Sequence, residues 1–282
     1  MIAVRKILIS CICFLLLSVY YSFAEEFRLP DSCYQLIGEE ITGAPKEALF
    51  LLIDNSVDFD TGVINSIQEK IEHWIGNNKS IEIYNFSMYS QQTYTNKVLA
   101  GNIDQVPSED FMDNLKKSLR IKFERCMKSY IPLVKIQIQK ATVEVFKKSS
   151  SNISRTEIIN NIKKITQHIK EHPAKKKLIL IVSDMLENSS MQAFYEGNKV
   201  KLINPELEFK KVTTNNLLSD LDKATVYIIG LGYIPDNNRE GKNQSVSLQT
   251  RKALESFWIK YIENSNGKIG EIGTPLIFGD LK

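Results

Sequence analysis

The sequence predicts an α/β protein: a doubly wound, mainly parallel sheet with helices on both faces, in a single domain over residues 47–282. Three observations carry this. Short uncharged apolar runs recur at 48–53, 178–182 and 224–229, the length of strands buried on both faces. Between them lie segments with apolar residues at three- and four-residue spacing, the pattern of helices that cross over between parallel strands. The composition, 43% hydrophobic and 24% charged, is that of a chain with a packed core and excludes a disordered or fibrous protein.

The elements follow in order. ALFLLI at 48–53 runs into Asp54 as a buried strand. Apolar positions 63, 64, 67, 71, 74 and 75 make a helix that GNN at 76–78 ends. IEIYNF at 81–86 alternates as a strand does, and the polar, β-tolerant stretch 89–103 suits an edge strand. Residues 108–148 read as one long helical region, capped by Ser108 with Glu109 and Asp110 in the first turn. Pro132 is expected to kink or split it. A further helix spans 155–171 and is closed by Pro173, and KLILIVSD at 177–184 is the strongest strand. Residues 186–212 form a polar excursion with room for a hairpin, and 217–221 reads as a short helix. A buried strand at 224–230, an amphipathic helix at 250–264 and a last strand at 268–272 complete the domain.

The N-terminus has the form of a secretory signal over residues 1–24. Arg5 and Lys6 precede an uncharged apolar run at 7–19, and Ser22 and Ala24 give the small-x-small ending. The alternative is an uncleaved membrane anchor, since the apolar stretch approaches the ~20 residues that a spanning helix needs. Residues 25–46 are then an N-terminal extension. Export places the chain outside the cytoplasm, in the periplasm if the source is Gram-negative. It leaves two cysteines, Cys33 and Cys126, which an oxidising compartment is expected to bridge. Removal of Arg5 and Lys6 reduces the formal charge from +3 to +1, with 34 bases against 33 acids. So balanced a chain has no field for a polyphosphate, and nucleic acid is not an expected partner.

In open parallel sheets, ligands bind beyond the carboxyl ends of the strands. Two buried strands here run directly into acids: Asp54, followed by Ser56 and Asp58, and Asp184 after Ser183. A carboxylate at the end of an apolar run is costly unless it caps a helix, is hydrogen-bonded or ligates a cation. An all-oxygen set of this kind suits Mg²⁺, Mn²⁺ or Ca²⁺ rather than zinc. The order of elements, the strand ending in D-x-S-x-D and the later strand ending in Asp resemble the von Willebrand factor A (vWA) domain. By that resemblance Asp54, Ser56 and Asp184 match positions of the metal-ion-dependent adhesion site. Asp58 stands where the family has a second serine, and Ser154 or Thr156 is the candidate for its threonine. The rival reading is that Asp54 and Asp184 cap the following helices and the metal site is degenerate.

Other constellations are weaker. His168, Glu171 and His172 spell H-x-x-E-H, an inverted zinc-peptidase signature, but in a fraying last turn at the edge away from the strand carboxyl ends. No P-loop, G-x-S-x-G elbow or G-x-G-x-x-G is present, so no organic cofactor is expected. The basic residues of 108–148 are interspersed with acids and read as a solvated face. The expectation is an exported, non-enzymatic protein-binding module of the cell envelope, with recognition loops at 55–61 and 185–212. Met185, Leu186, Met191, Phe194 and Tyr195 are its candidate contact residues, or else they pack back onto the domain. The alternatives are a structural envelope subunit with a dead metal site and an envelope hydrolase.

Overall fold

The computed structural model describes residues 27–41, 43–89, 92–149, 156–196, 199–235 and 246–282. The segment expected to be a secretory signal and Ser154 lie outside these. Strand β1 (Glu47–Asp54) is followed by α1 (Thr61–Trp74), β2 (Lys79–Tyr89), β3 (Gln92–Asn102), α2 (Glu109–Asn114), α3 (Lys117–Lys147) and α4 (Ile158–Glu171). Then come β4 (Lys176–Val182), a hairpin of β5 (Tyr195–Glu196) and β6 (Lys199–Val200), α5 (Pro205–Thr214), β7 (Thr225–Ile229), α6 (Leu248–Asn264) and β8 (Lys268–Ile272). The main sheet has the order β3-β2-β1-β4-β7-β8. All its pairs are parallel except β2 with β3, which closes one edge antiparallel. With the hairpin set aside, this is the doubly wound order, the chain starting in the middle and winding outward both ways.

β1 lies at the centre because it can be buried on both faces. Leu49, Leu51 and Ile53 point into one core with α1 and α3, while Ala48, Phe50 and Leu52 point into the other with α4 and α6. β4 does the same in register: Leu178, Leu180 and Val182 on the first face, Ile179 and Ile181 on the second. Each of these side chains larger than Ala48 contributes about 1.5–3 kcal/mol of burial. Cys33 and Cys126 are bridged, joining the N-terminal extension to α3 across 93 residues of sequence.

Two expectations are corrected. The long helical region breaks at Leu115 and Lys116, both extended, and not at Pro132, which sits inside the 31-residue α3. Pro132 and Lys128, whose carbonyl lacks its amide partner, are both exposed, so water can satisfy that carbonyl. The second correction concerns 186–221. The helix there is α5 at Pro205–Thr214, and 217–221 is irregular. Asn204 caps α5 through Glu206 and Leu207 N–H, Pro205 occupies its first turn, and Glu206 and Glu208 face the positive end of its dipole.

Candidate functional site

The site is built where β1 and β4 end side by side. Ile53 pairs with Val182, so the next residues, Asp54 and Ser183, also meet. Ser183 Oγ donates to Asp54 Oδ2 at 2.8 Å. The other oxygen, Oδ1, accepts from Ser56 N at 2.9 Å and from Ser56 Oγ at 2.6 Å. Thr156, just before α4, donates its hydroxyl to Ser56 Oγ. The Ser56 and Ser183 hydroxyls therefore bond one carboxylate at the carboxyl edge of the sheet, and Thr156 reaches it through Ser56.

Asp184 follows Ser183, and its Oδ1 accepts from Leu186 N at 2.9 Å. The chain then turns sharply. Met185 is a fully buried non-glycine residue at φ +59°, a left-handed conformation that costs about 1–2 kcal/mol. It is held there by Trp258 Nε1, which donates to Met185 O at 2.8 Å, and by Gly232 N, which donates to Asp184 O at 2.8 Å. The strained turn is thus pinned from α6 and from the loop after β7.

Neither aspartate caps a helix. The cap of α1 is Asp60, whose Oδ1 accepts from Val63 N, and no helix starts after Asp184 until Pro205. Asp54 is 0% exposed and Asp184 is half-buried. Burial pushes the Asp54 carboxyl up to about 6, against the downward pull of the Ser56 and Ser183 hydrogen bonds. Asp184 is raised well above the usual carboxylate range, first by burial and then by repulsion from Asp54. No basic side chain draws either one down. Tyr195 of the hairpin is raised as well, by burial and then by the Asp184 and Asp54 charges, which places its phenol within their field.

Of the residues predicted for the site, Asp54, Ser56 and Thr156 form one hydrogen-bonded chain, and Asp184 sits close enough to repel Asp54. Asp58 is exposed and outside that chain. Met185, Leu186 and Phe194 are core residues: Phe194 is fully buried edge-on against Phe257. Tyr195 is half-buried, and Met191 alone of the five is exposed, at 44%. The loop's apolar content thus serves mainly to anchor it. The H-x-x-E-H motif is dispersed at the other edge. His172 Nδ1 accepts from Ala174 N, its Nε2 bonds Ser80 Oγ at the start of β2, and exposed His168 leans on Tyr84. Among the described residues no three His, Cys, Asp or Glu side chains form a metal-binding group. A cation between Asp54 and Asp184 therefore has to complete its shell with the Ser56 and Thr156 hydroxyls, water or a partner. The donor set fits a hard cation: a buried and a half-buried carboxylate without a counter-charge, with two hydroxyls on the Asp54 side.

Ser183 was not among the expected site residues; its place beside Asp54 follows from pairing β1 with β4.

The observed six-stranded, mainly parallel sheet with helices on both faces is the α/β fold that the sequence predicts, consistent with the vWA/Rossmann-like class. No protein-family model and no curated protein matches the chain. Among solved structures, it is similar to an aerotolerance-related membrane protein from Bacteroides fragilis carrying multiple mutations to serine, at 13% identity over 82% of this chain and 91% of that one, with a TM-score of 0.37. It is similar to BatB from Bacteroides thetaiotaomicron at 12% identity over the same shares, with a TM-score of 0.35. The human COPII-coat protein Sec24c gives 10% identity over 82% of this chain and 30% of that one, with a TM-score of 0.31. Similarities this distant carry no argument about binding or assembly.

Proposed function

We propose that this protein is an extracytoplasmic, non-enzymatic binding module that holds a divalent cation, Mg²⁺, Mn²⁺ or Ca²⁺, at the carboxyl edge of its sheet and uses it to engage a protein partner. The observation that supports the reading is the gathering of Asp54 and Ser56, Thr156, and Asp184 from three segments around a carboxylate pair with no basic neighbour. Asp54 and Asp184 would hold the cation, with Ser56 and Thr156 offering hydroxyl oxygens. The bound cation supplies a Lewis-acidic point that an acidic side chain of the partner can complete. Half-buried Asp184 leaves that point open to a partner, while buried Asp54 fixes its depth. The Cys33–Cys126 bridge and the apolar segment at 7–19 support a location outside the cytoplasm.

The test is thermal. Millimolar Mg²⁺ or Mn²⁺ is expected to raise the Tm of the wild type, because binding to the native state adds RT ln(1 + [L]/Kd). Asp184→Ala is expected to abolish the shift, and partner capture from envelope extract to be lost in EDTA and in that variant. A wild type whose Tm does not respond to either ion overturns the reading and leaves a structural envelope subunit.

A further inference from the structure

Thr156 reaches the site from the start of α4, a helix end with a capping problem. Its preceding residue, Glu157, makes no side-chain cap, and its first turn carries no acid. Glu157 is engaged elsewhere, accepting from Asn160 Nδ2 at 2.8 Å. Buried amides left without acceptors at a helix start are costly. The acceptor comes from another loop. Glu187, three residues after Asp184 and 1% exposed, accepts from Ile159 N at 3.0 Å through Oε2, and Ile158 N also bonds to its carboxyl. The next residue closes the same clamp, with Asn188 N donating to Thr156 O at 2.9 Å.

We infer that Glu187 is the positioning residue of the cation site, capping α4 in trans and so holding the Thr156 hydroxyl against Ser56 and Asp54. This rests on the cation reading above. The loop after β4 then contributes twice. It presents Asp184 directly, and through Glu187 and Asn188 it fixes the segment that presents Thr156. Glu187 itself touches none of the four site residues through a side-chain bond; its effect passes through the α4 backbone.

The experiment uses the chain with its disulfide intact and Mn²⁺ as the probe. Glu187→Met keeps the volume and removes both acceptor oxygens; Glu187→Gln keeps one. Supporting residues of a metal site are worth about 10- to 100-fold in affinity. The expected result is an affinity at least tenfold weaker in Glu187→Met, near wild type in Glu187→Gln, and no weaker in Glu187→Met/Thr156→Ala than in Thr156→Ala alone. In metal-free protein, amide exchange at Ile158 and Ile159 is expected to quicken in Glu187→Met and not in Thr156→Ala. Wild-type affinity in Glu187→Met, or an equal loss in both Thr156 backgrounds, overturns the positioning role while leaving the cation reading intact. Unchanged exchange at Ile158 and Ile159 overturns it whatever the metal does. A wild type that binds no Mn²⁺ refutes the cation reading and takes this role with it.

Discussion

Removing the Cys33–Cys126 bridge, by serine at both positions, is expected to cost about 4–5 kcal/mol of stability. The bridge closes a loop of 93 residues that contains β1, α1, β2, β3, α2 and the start of α3. With an entropy of about 2.1 + 1.5R ln n cal/mol/K, a loop of that size corresponds to ~4.6 kcal/mol at 25 °C. Native geometry adds to this rather than offsetting it. Cys33 is fully buried, its N–H donates to Asp104 Oδ2 at 2.7 Å, and its neighbour Tyr34 packs edge-on against Phe123 of α3. Serine there leaves a hydroxyl in an apolar site. Urea unfolding followed by the fluorescence of Trp74 and Trp258 measures the change. At a slope of about 3 kcal/mol/M, the midpoint falls by roughly 1.5 M. A loss under about 1 kcal/mol, or two free thiols in the unreduced, unfolded wild type, refutes the reasoning.

Other outcomes follow from burial and charge. Phe194→Ala is expected to cost about 3–5 kcal/mol because it empties a core position against Phe257, whereas exposed Met191→Ala is expected to stay within about 0.5 kcal/mol; equal effects in chemical denaturation would contradict the division of that loop into core and surface. Burial pushes Glu187 from an ordinary 4.5 up to about 8. The folded chain thus holds a proton that the unfolded chain releases near 4.5, and the stability this group contributes is complete below that pH and lost as pH rises through about 8. Denaturation midpoints between pH 5 and 8.5 should therefore decline with pH in the metal-free wild type, and less steeply in Glu187→Gln; identical slopes would contradict the assignment.

Where the sequence was legible, it was because one physical signal dominated. Uncharged runs at β1 and β4 admit only a doubly buried strand, and Asp54 and Asp184 then fall at the ligand-binding edge by topology alone. Helix α5 was hidden for the opposite reason. α5 buries little beyond Glu208 and Val212 and leaves Leu207 exposed, so its apolar spacing is faint. The readable signal was the cap, Asn204 followed by Pro205. The break at Leu115 and Lys116 carries no glycine or proline to mark it, while Pro132, the obvious breaker, is tolerated on the exposed side of α3. Phe194 shows that an aromatic residue in a polar loop belongs as readily to the core as to an interface. Glu187 shows the converse, a charged residue type serving as a buried cap. Only the fold places Thr156 beside Ser56, across 100 residues of sequence.

Counting bound Mn²⁺ by the electron paramagnetic resonance of the free ion decides whether the strand-end cluster is a cation site. Titration of the wild type should show one ion bound per chain, competed by Mg²⁺, with binding lost in Asp54→Asn and in Asp184→Asn while both variants keep the wild-type circular dichroism. A free-ion signal that matches buffer at every protein concentration, or binding that survives both substitutions, would contradict it.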